Sequence, residues 1–116
     1  FNQQRFETLR YTTPLLLDFT AEWCPNCKFL EKTVLTAERS TAIAQRYSAV
    51  LMRVDLTHED PQAMELLYAL GSRSIPLLAI FSPTRPHSPL ILRDLFTQST
   101  LERALEHEWK AIQENQ

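Results

Sequence analysis

Glycine occurs once in this chain of 116 residues, at Gly71, where average usage would supply about eight. Turn-making therefore falls to the seven prolines. Cysteine is almost as scarce, with two residues, Cys24 and Cys27. A structural zinc site needs about four ligands, and His58, His87 and His107 are scattered without ligand spacing, so no metal is expected. No run nears the roughly 18 apolar residues of a membrane helix, so no span is expected in this segment. Charge of neither sign is in excess. The net value of −2 offers no electrostatic footprint for nucleic acid or an anionic membrane. The chain begins at Phe1, without an initiating Met or a signal-peptide pattern, and is expected to be a processed product or an excised domain.

What is present is globular in character. Hydrophobic residues make up 44% and charged residues 22%, values that predict one domain, 1–116, able to bury a core without staples. Phe6 and Leu9 predict a short amphipathic helix, broken by Thr12-Thr13-Pro14. Leu15 to Thr20 reads as a buried central strand, apolar on both faces as parallel strands are. Helices are expected over Pro25 to about Thr36 and Ser40 to Tyr47. A strand is expected over Val50 to Leu56. Asp60 and Pro61 are suited to the N-cap and first turn of a further helix to about Leu70, with Gly71 as its left-handed C-cap. Leu77 to Phe81 predicts a strand, Ser82 to Pro89 a proline-rich turn, and Leu90 to Phe96 the hairpin partner. Ser99 to about Ile112 closes the chain as a helix through Leu101, Leu105 and Trp109. That order implies an α/β fold, a central mixed sheet covered by helices on both faces.

The chemistry concentrates in Trp23-Cys24-Pro25-Asn26-Cys27-Lys28. A strand that hands a Cys-x-x-Cys pair to a helix N-terminus places the first sulfur where unpaired N–H groups and the helix dipole favour negative charge. The thiolate is the reactive form, so such a site makes the thiol a nucleophile at neutral pH. Pro25 suits the first helical position, and Cys27, one turn further in, can attack a mixed disulfide formed on Cys24. A structural disulfide closing so short a loop would restrict the unfolded chain little. Two inert buried cysteines are a further alternative, which Trp23, Pro25 and Lys28 around them do not resemble.

Asp18-Phe19-Thr20-Ala21-Glu22-Trp23-Cys24-Pro25-Asn26-Cys27-Lys28 resembles the thioredoxin active-site stretch, and Ser74-Ile75-Pro76 resembles that superfamily's cis-proline loop. Within the superfamily, Leu17 to Cys24, Phe29 to Thr33 and Val54-Asp55-Leu56-Thr57 are most similar to the C-terminal periplasmic domain of the DsbD thiol:disulfide interchange proteins. The resemblance implies a thioredoxin fold and a protein-disulfide reductase without a prosthetic group. It casts Cys24 as the exposed attacking thiol, Cys27 as the buried resolving one, and Asp18 and Glu31 as acids near the dithiol. It further implies a cis Pro76, an Ile75 backbone offered to an extended substrate segment, and a shielding Trp23, with Pro25 and Asn26 on the substrate-facing turn.

Some of this is legible without the family. A carboxyl inside Leu15-Leu16-Leu17-Asp18-Phe19 should have a raised pKa that suits proton exchange with Cys27. Glu31, four residues after Cys27, shares its helix face, and two acids there would repel each other. The bland readings are a hydrogen-bonded structural Asp18, a solvated Glu31, a trans turn proline at Pro76 and an ordinary aromatic at Trp23.

Implied partners are disulfide-bearing proteins and a membrane-embedded electron donor, on the same polypeptide or another. The chain is expected to be a monomer in the periplasm, as a domain of an inner-membrane protein. The alternatives are a free thioredoxin-like reductase, which could be cytoplasmic, and a non-catalytic thioredoxin-fold binding module. Three departures from the family pattern are expected on the partner-facing rim: Leu77 after the proline, Ser72 at a usually apolar position, and Leu95 or Phe96 at a usual glycine.

Overall fold

The computed structural model describes residues 1–114, with side chains through 109; the last two residues of the expected 1–116 domain lie outside the described residues. Helix α1 (Gln3–Leu9) leads into β1 (Leu15–Thr20), α2 (Pro25–Thr33), α3 (Ala37–Tyr47), β2 (Val50–Asp55), α4 (Pro61–Ala69), the hairpin β3 (Leu77–Ser82) and β4 (Arg85–Arg93), and α5 (Gln98–Glu114). The sheet runs β2-β1-β3-β4, with β1 parallel to β2 and antiparallel to β3, and β3 antiparallel to β4.

Strand alternation divides the core in two. Leu15, Leu17 and Phe19 of β1 join Leu77, Ala79 and Phe81 of β3 on one face, under Phe6 of α1 and Ala63 and Leu67 of α4. Leu16, Leu78 and Ile80 face the other way, against Leu30 and Val34, Tyr47, and Leu101, Leu105 and Trp109. β1 is buried along its whole length because both faces are covered, which explains its unbroken apolar run. Trp109 closes the second cluster. Its indole stands edge-on to Tyr47, with centroids 5.1 Å apart, and its Nε1 donates to the Phe81 carbonyl at 3.0 Å. Trp109→Phe keeps most of the ring but removes that donor from a buried carbonyl. A loss of about 1–2 kcal/mol in urea unfolding is expected.

Several boundaries differ from the sequence expectation, among them the start of α3 at Ala37 and not Ser40, and three regions show why. α2 stops at Thr33 because Thr36 caps the next helix, its Oγ1 accepting from the Arg39 N–H at 3.2 Å, while Arg39 also donates to the Thr33 and Val34 carbonyls. The expected turn over Ser82 to Pro89 is mostly strand, since β4 pairs from Arg85 with Ser82. Pro86 and Pro89 are tolerated there because β4 is an edge strand, where a missing N–H need not break a ladder. β4 then ends at Arg93 rather than Phe96, because Asp94 turns left-handed at φ 57°. Gly71, at φ 84°, does occupy the left-handed position after α4.

Candidate functional site

The site forms where β1 delivers the chain to α2. Cys24 is the N-cap of α2, in extended conformation, and Pro25 follows in the first turn. The Cys27 N–H points at the Cys24 Sγ at 3.2 Å. A donor so placed stabilises negative charge on that sulfur, as does the positive end of the helix dipole. Cys24 and Cys27 form a disulfide, with Cα atoms 5.3 Å apart.

Both cysteines are buried, at 5% and 2% exposure. The expectation of an exposed Cys24 is therefore corrected for the disulfide form: a sulfur that caps its own helix and bonds to the next turn is drawn inward. Pro25 and Asn26 remain exposed beside it. Trp23 stands 64% exposed and borders a groove of about 550 Å³ with Leu56, Met64 and Tyr68.

The Ile75–Pro76 bond is cis, and the Ile75 carbonyl lies 4.0 Å from the Cys24 Sγ. Residues 51 positions apart thus meet at one point, because β3 is hydrogen-bonded directly beside β1. The Ser72 hydroxyl shapes the approach to this loop, donating to the Ser74 carbonyl at 3.0 Å and accepting from its N–H at 3.3 Å.

Asp18 shares its side of β1 with Leu16, which packs under α2, and with Thr20, whose hydroxyl donates to Glu31 of α2 at 3.1 Å. It therefore lies beneath the helix that carries Cys27. Burial pushes its pKa from 3.8 up to about 6; Arg53, its register partner on β2, opposes that rise, and Glu31 adds to it. The two acids do approach one another, but cations stand among them. Glu31 is ion-paired with Arg53 and with Lys28, the latter at 3.3 Å. Lys28 also pairs with Glu22 at 2.7 Å, the contact that chiefly raises its own pKa. The expected repulsion between the two carboxylates is present, since Glu31 raises the Asp18 pKa, but it acts within an alternating series of charges, Asp18, Arg53, Glu31, Lys28 and Glu22, in which Arg53 opposes it. Sequence inspection missed Arg53, although the alternation of β2 put it on a defined face.

Asp94 was missed as well. It sits at the left-handed position after β4, where a side chain costs on the order of 1 kcal/mol relative to glycine. Its N–H donates to the Pro76 carbonyl at 3.0 Å, and its Oδ1 accepts from the Asn26 amide at 2.9 Å. Leu77 and Ser72, expected on the rim, are instead buried at 1% and 8%. Leu77 is the first inward residue of β3, and Ser72 folds into its own turn. Among the described residues no group of three or more His, Cys, Asp or Glu is placed to hold a metal ion, and no helix is long and apolar enough to cross a membrane.

Residues 1–83 match the family described as thioredoxin-like. The chain is similar to the thiol:disulfide interchange protein DsbD of Campylobacter jejuni, at 32% identity over 81 residues, which is 70% of this chain and 14% of that protein. It is also similar to a thioredoxin of Rickettsia bellii, at 33% identity over 75 residues, 65% of this chain and 64% of that one. The chain thus spans about a seventh of the first of these relatives. Among solved structures, the oxidised DsbD C-terminal domain of Neisseria meningitidis superposes with a TM-score of 0.70 at 20% identity, covering 92% of this chain and 96% of that one. The family match over most of the chain, the shared sheet with its flanking helices and the Cys24–Cys27 pair at the head of α2 place this protein in the thioredoxin-like family.

Proposed function

We propose that residues 1–116 act as one thioredoxin-like domain whose Cys24–Cys27 dithiol reduces disulfides of partner proteins. One observation carries the reading: Cys24 caps α2 with an N–H aimed at its sulfur, one turn from Cys27 and against the Ile75 backbone.

In the reduced state the Cys24 thiolate attacks one sulfur of the partner's disulfide. A Cys24–partner bond forms, and the partner's other sulfur leaves as a thiolate that takes up a proton. Cys27 then gives its proton to the Asp18 carboxylate and attacks the Cys24 Sγ. The mixed disulfide breaks, the intramolecular disulfide forms, and the partner leaves with two thiols. Glu31, held by Arg53 and Lys28, tempers the field at Asp18. Trp23, Pro25, Asn26, Ile75 and Pro76 make the face on which an extended partner segment lies, with the Ile75 backbone as its strand-like neighbour.

Two electrons must then return to the disulfide. The similarity to DsbD supports a membrane-embedded donor and a periplasmic setting; in this reading the chain works as a monomeric unit without a prosthetic group. The similarity to a thioredoxin favours a second reading, a freely diffusing domain recharged by a soluble reductase.

The full chain with dithiothreitol should precipitate insulin well ahead of dithiothreitol alone. Cys27→Ala should accumulate a covalent adduct with insulin chains, visible on a non-reducing gel and lost on reduction. A chain that neither accelerates reduction nor forms the adduct is a binding module instead.

A further inference from the structure

No atom of Asp94 takes part in the thiol exchange, yet this residue joins the two loops between which the exchange occurs. Its N–H holds the Pro76 carbonyl at 3.0 Å, and its carboxyl oxygen holds the Asn26 amide at 2.9 Å. Asn26 lies between the two cysteines, and Pro76 follows the Ile75 carbonyl that faces Cys24. The base of this tie is itself anchored. Arg93, the residue before, pairs in register with Leu77 and donates to the Leu70 and Gly71 carbonyls at 3.4 and 3.2 Å. The end of β4 therefore grips the C-terminus of α4, the cis-proline loop and the dithiol turn at consecutive residues.

We propose that Asp94 is a positioning residue for protein substrates, latching the Cys24–Cys27 turn to the cis-proline loop so that a segment docked on Ile75 presents its disulfide in line with the Cys24 sulfur. The inference rests on the reductase reading and deepens it.

A protein disulfide must satisfy two contacts at once, a backbone pairing on one loop and sulfur attack on the other. Their spacing then governs the rate, and a misplacement near 1 Å can cost about 100-fold. A small disulfide engages the sulfur alone and is indifferent to that spacing. The disulfide is a covalent brace only in the oxidised state. The Asn26–Asp94 bond has no redox chemistry of its own, so reduction of the disulfide does not itself break it.

The test compares kcat/KM for insulin with the rate constant for a small aromatic disulfide, DTNB, using the full reduced chain. Asp94→Gly keeps the left-handed backbone and the N–H to Pro76 but removes the acceptor for Asn26. The insulin-to-DTNB ratio should fall about tenfold. Asp94→Asn retains an acceptor oxygen and tolerates the same backbone, so its ratio should stay within about twofold of wild type. An unmoved ratio in Asp94→Gly would overturn the latch. A wild-type chain inactive on both substrates would instead overturn the reductase reading beneath it.

Discussion

Serine in place of Cys24 should lower insulin reduction by about three orders of magnitude or more, roughly 4 kcal/mol in the barrier. The hydroxyl is nearly isosteric and can still cap α2, accepting the Cys27 N–H that Cys24 accepts at 3.2 Å. Fold and stability of the reduced protein should therefore hardly change. What disappears is an anionic nucleophile, because an alcohol stays protonated where a thiol at a helix N-terminus ionises. Cys27→Ser should behave differently, retaining the first attack on DTNB while losing turnover. Burst kinetics separate the two, since Cys27→Ser should release one equivalent of chromophore and Cys24→Ser none. A burst of one equivalent from Cys24→Ser with none from Cys27→Ser would reverse the assignment of the two sulfurs.

Asp18→Asn should slow resolution of the mixed disulfide by about 100-fold, the lower end of what a positioned proton acceptor contributes. In wild type that step should accelerate as pH rises through about 6, where Asp18 loses its proton; in the variant this inflection should vanish. Stability should move the opposite way. A carboxyl whose pKa is about 6 in the folded chain against 3.8 when unfolded binds its proton more tightly in the native state. Its contribution to stability is full below the unfolded value and is lost as pH rises through the folded one. Asp18→Asn should therefore stabilise the oxidised protein at pH 8 by up to about 3 kcal/mol, the size of the shift converted at 1.36 kcal/mol per unit, and should gain nothing at pH 3. Thermal melts across that range test the sign. A gain equal at both ends of the range would mean that Asp18 is a structural carboxyl, and an unchanged pH profile of resolution would remove it from proton transfer.

Both effects come from a residue whose burial was readable in advance. A carboxyl amid Leu15, Leu16, Leu17 and Phe19 is desolvated in a strand covered on both faces, which is what so unbroken an apolar run predicts. How far the shift goes was not readable. Arg53 stands opposite Asp18 only because β2 adds to β1 in parallel with Asp18 in register with Arg53. The same pairing brings Arg53 to Glu31, 22 positions away, and sets a cation against the repulsion that Glu31 exerts on Asp18.

By itself the sequence determined the dithiol, the helix it caps and the order of strands and helices. Those features rest on local physics: the period of apolar residues, a proline at the first turn, a glycine at a left-handed cap. Tertiary structure decided which distant residues meet the dithiol. Ile75 reaches Cys24 because β3 lies beside β1, and Asp94 reaches Asn26 across 68 positions because β4 lies beside β3 and ends at the same rim. It also decided that Pro86 and Pro89 belong to a strand, since only the sheet order makes β4 an edge where their missing N–H groups cost little. Local signals carry no information about neighbours in a sheet. Strand order and register supply it, and they are settled by how the whole core packs.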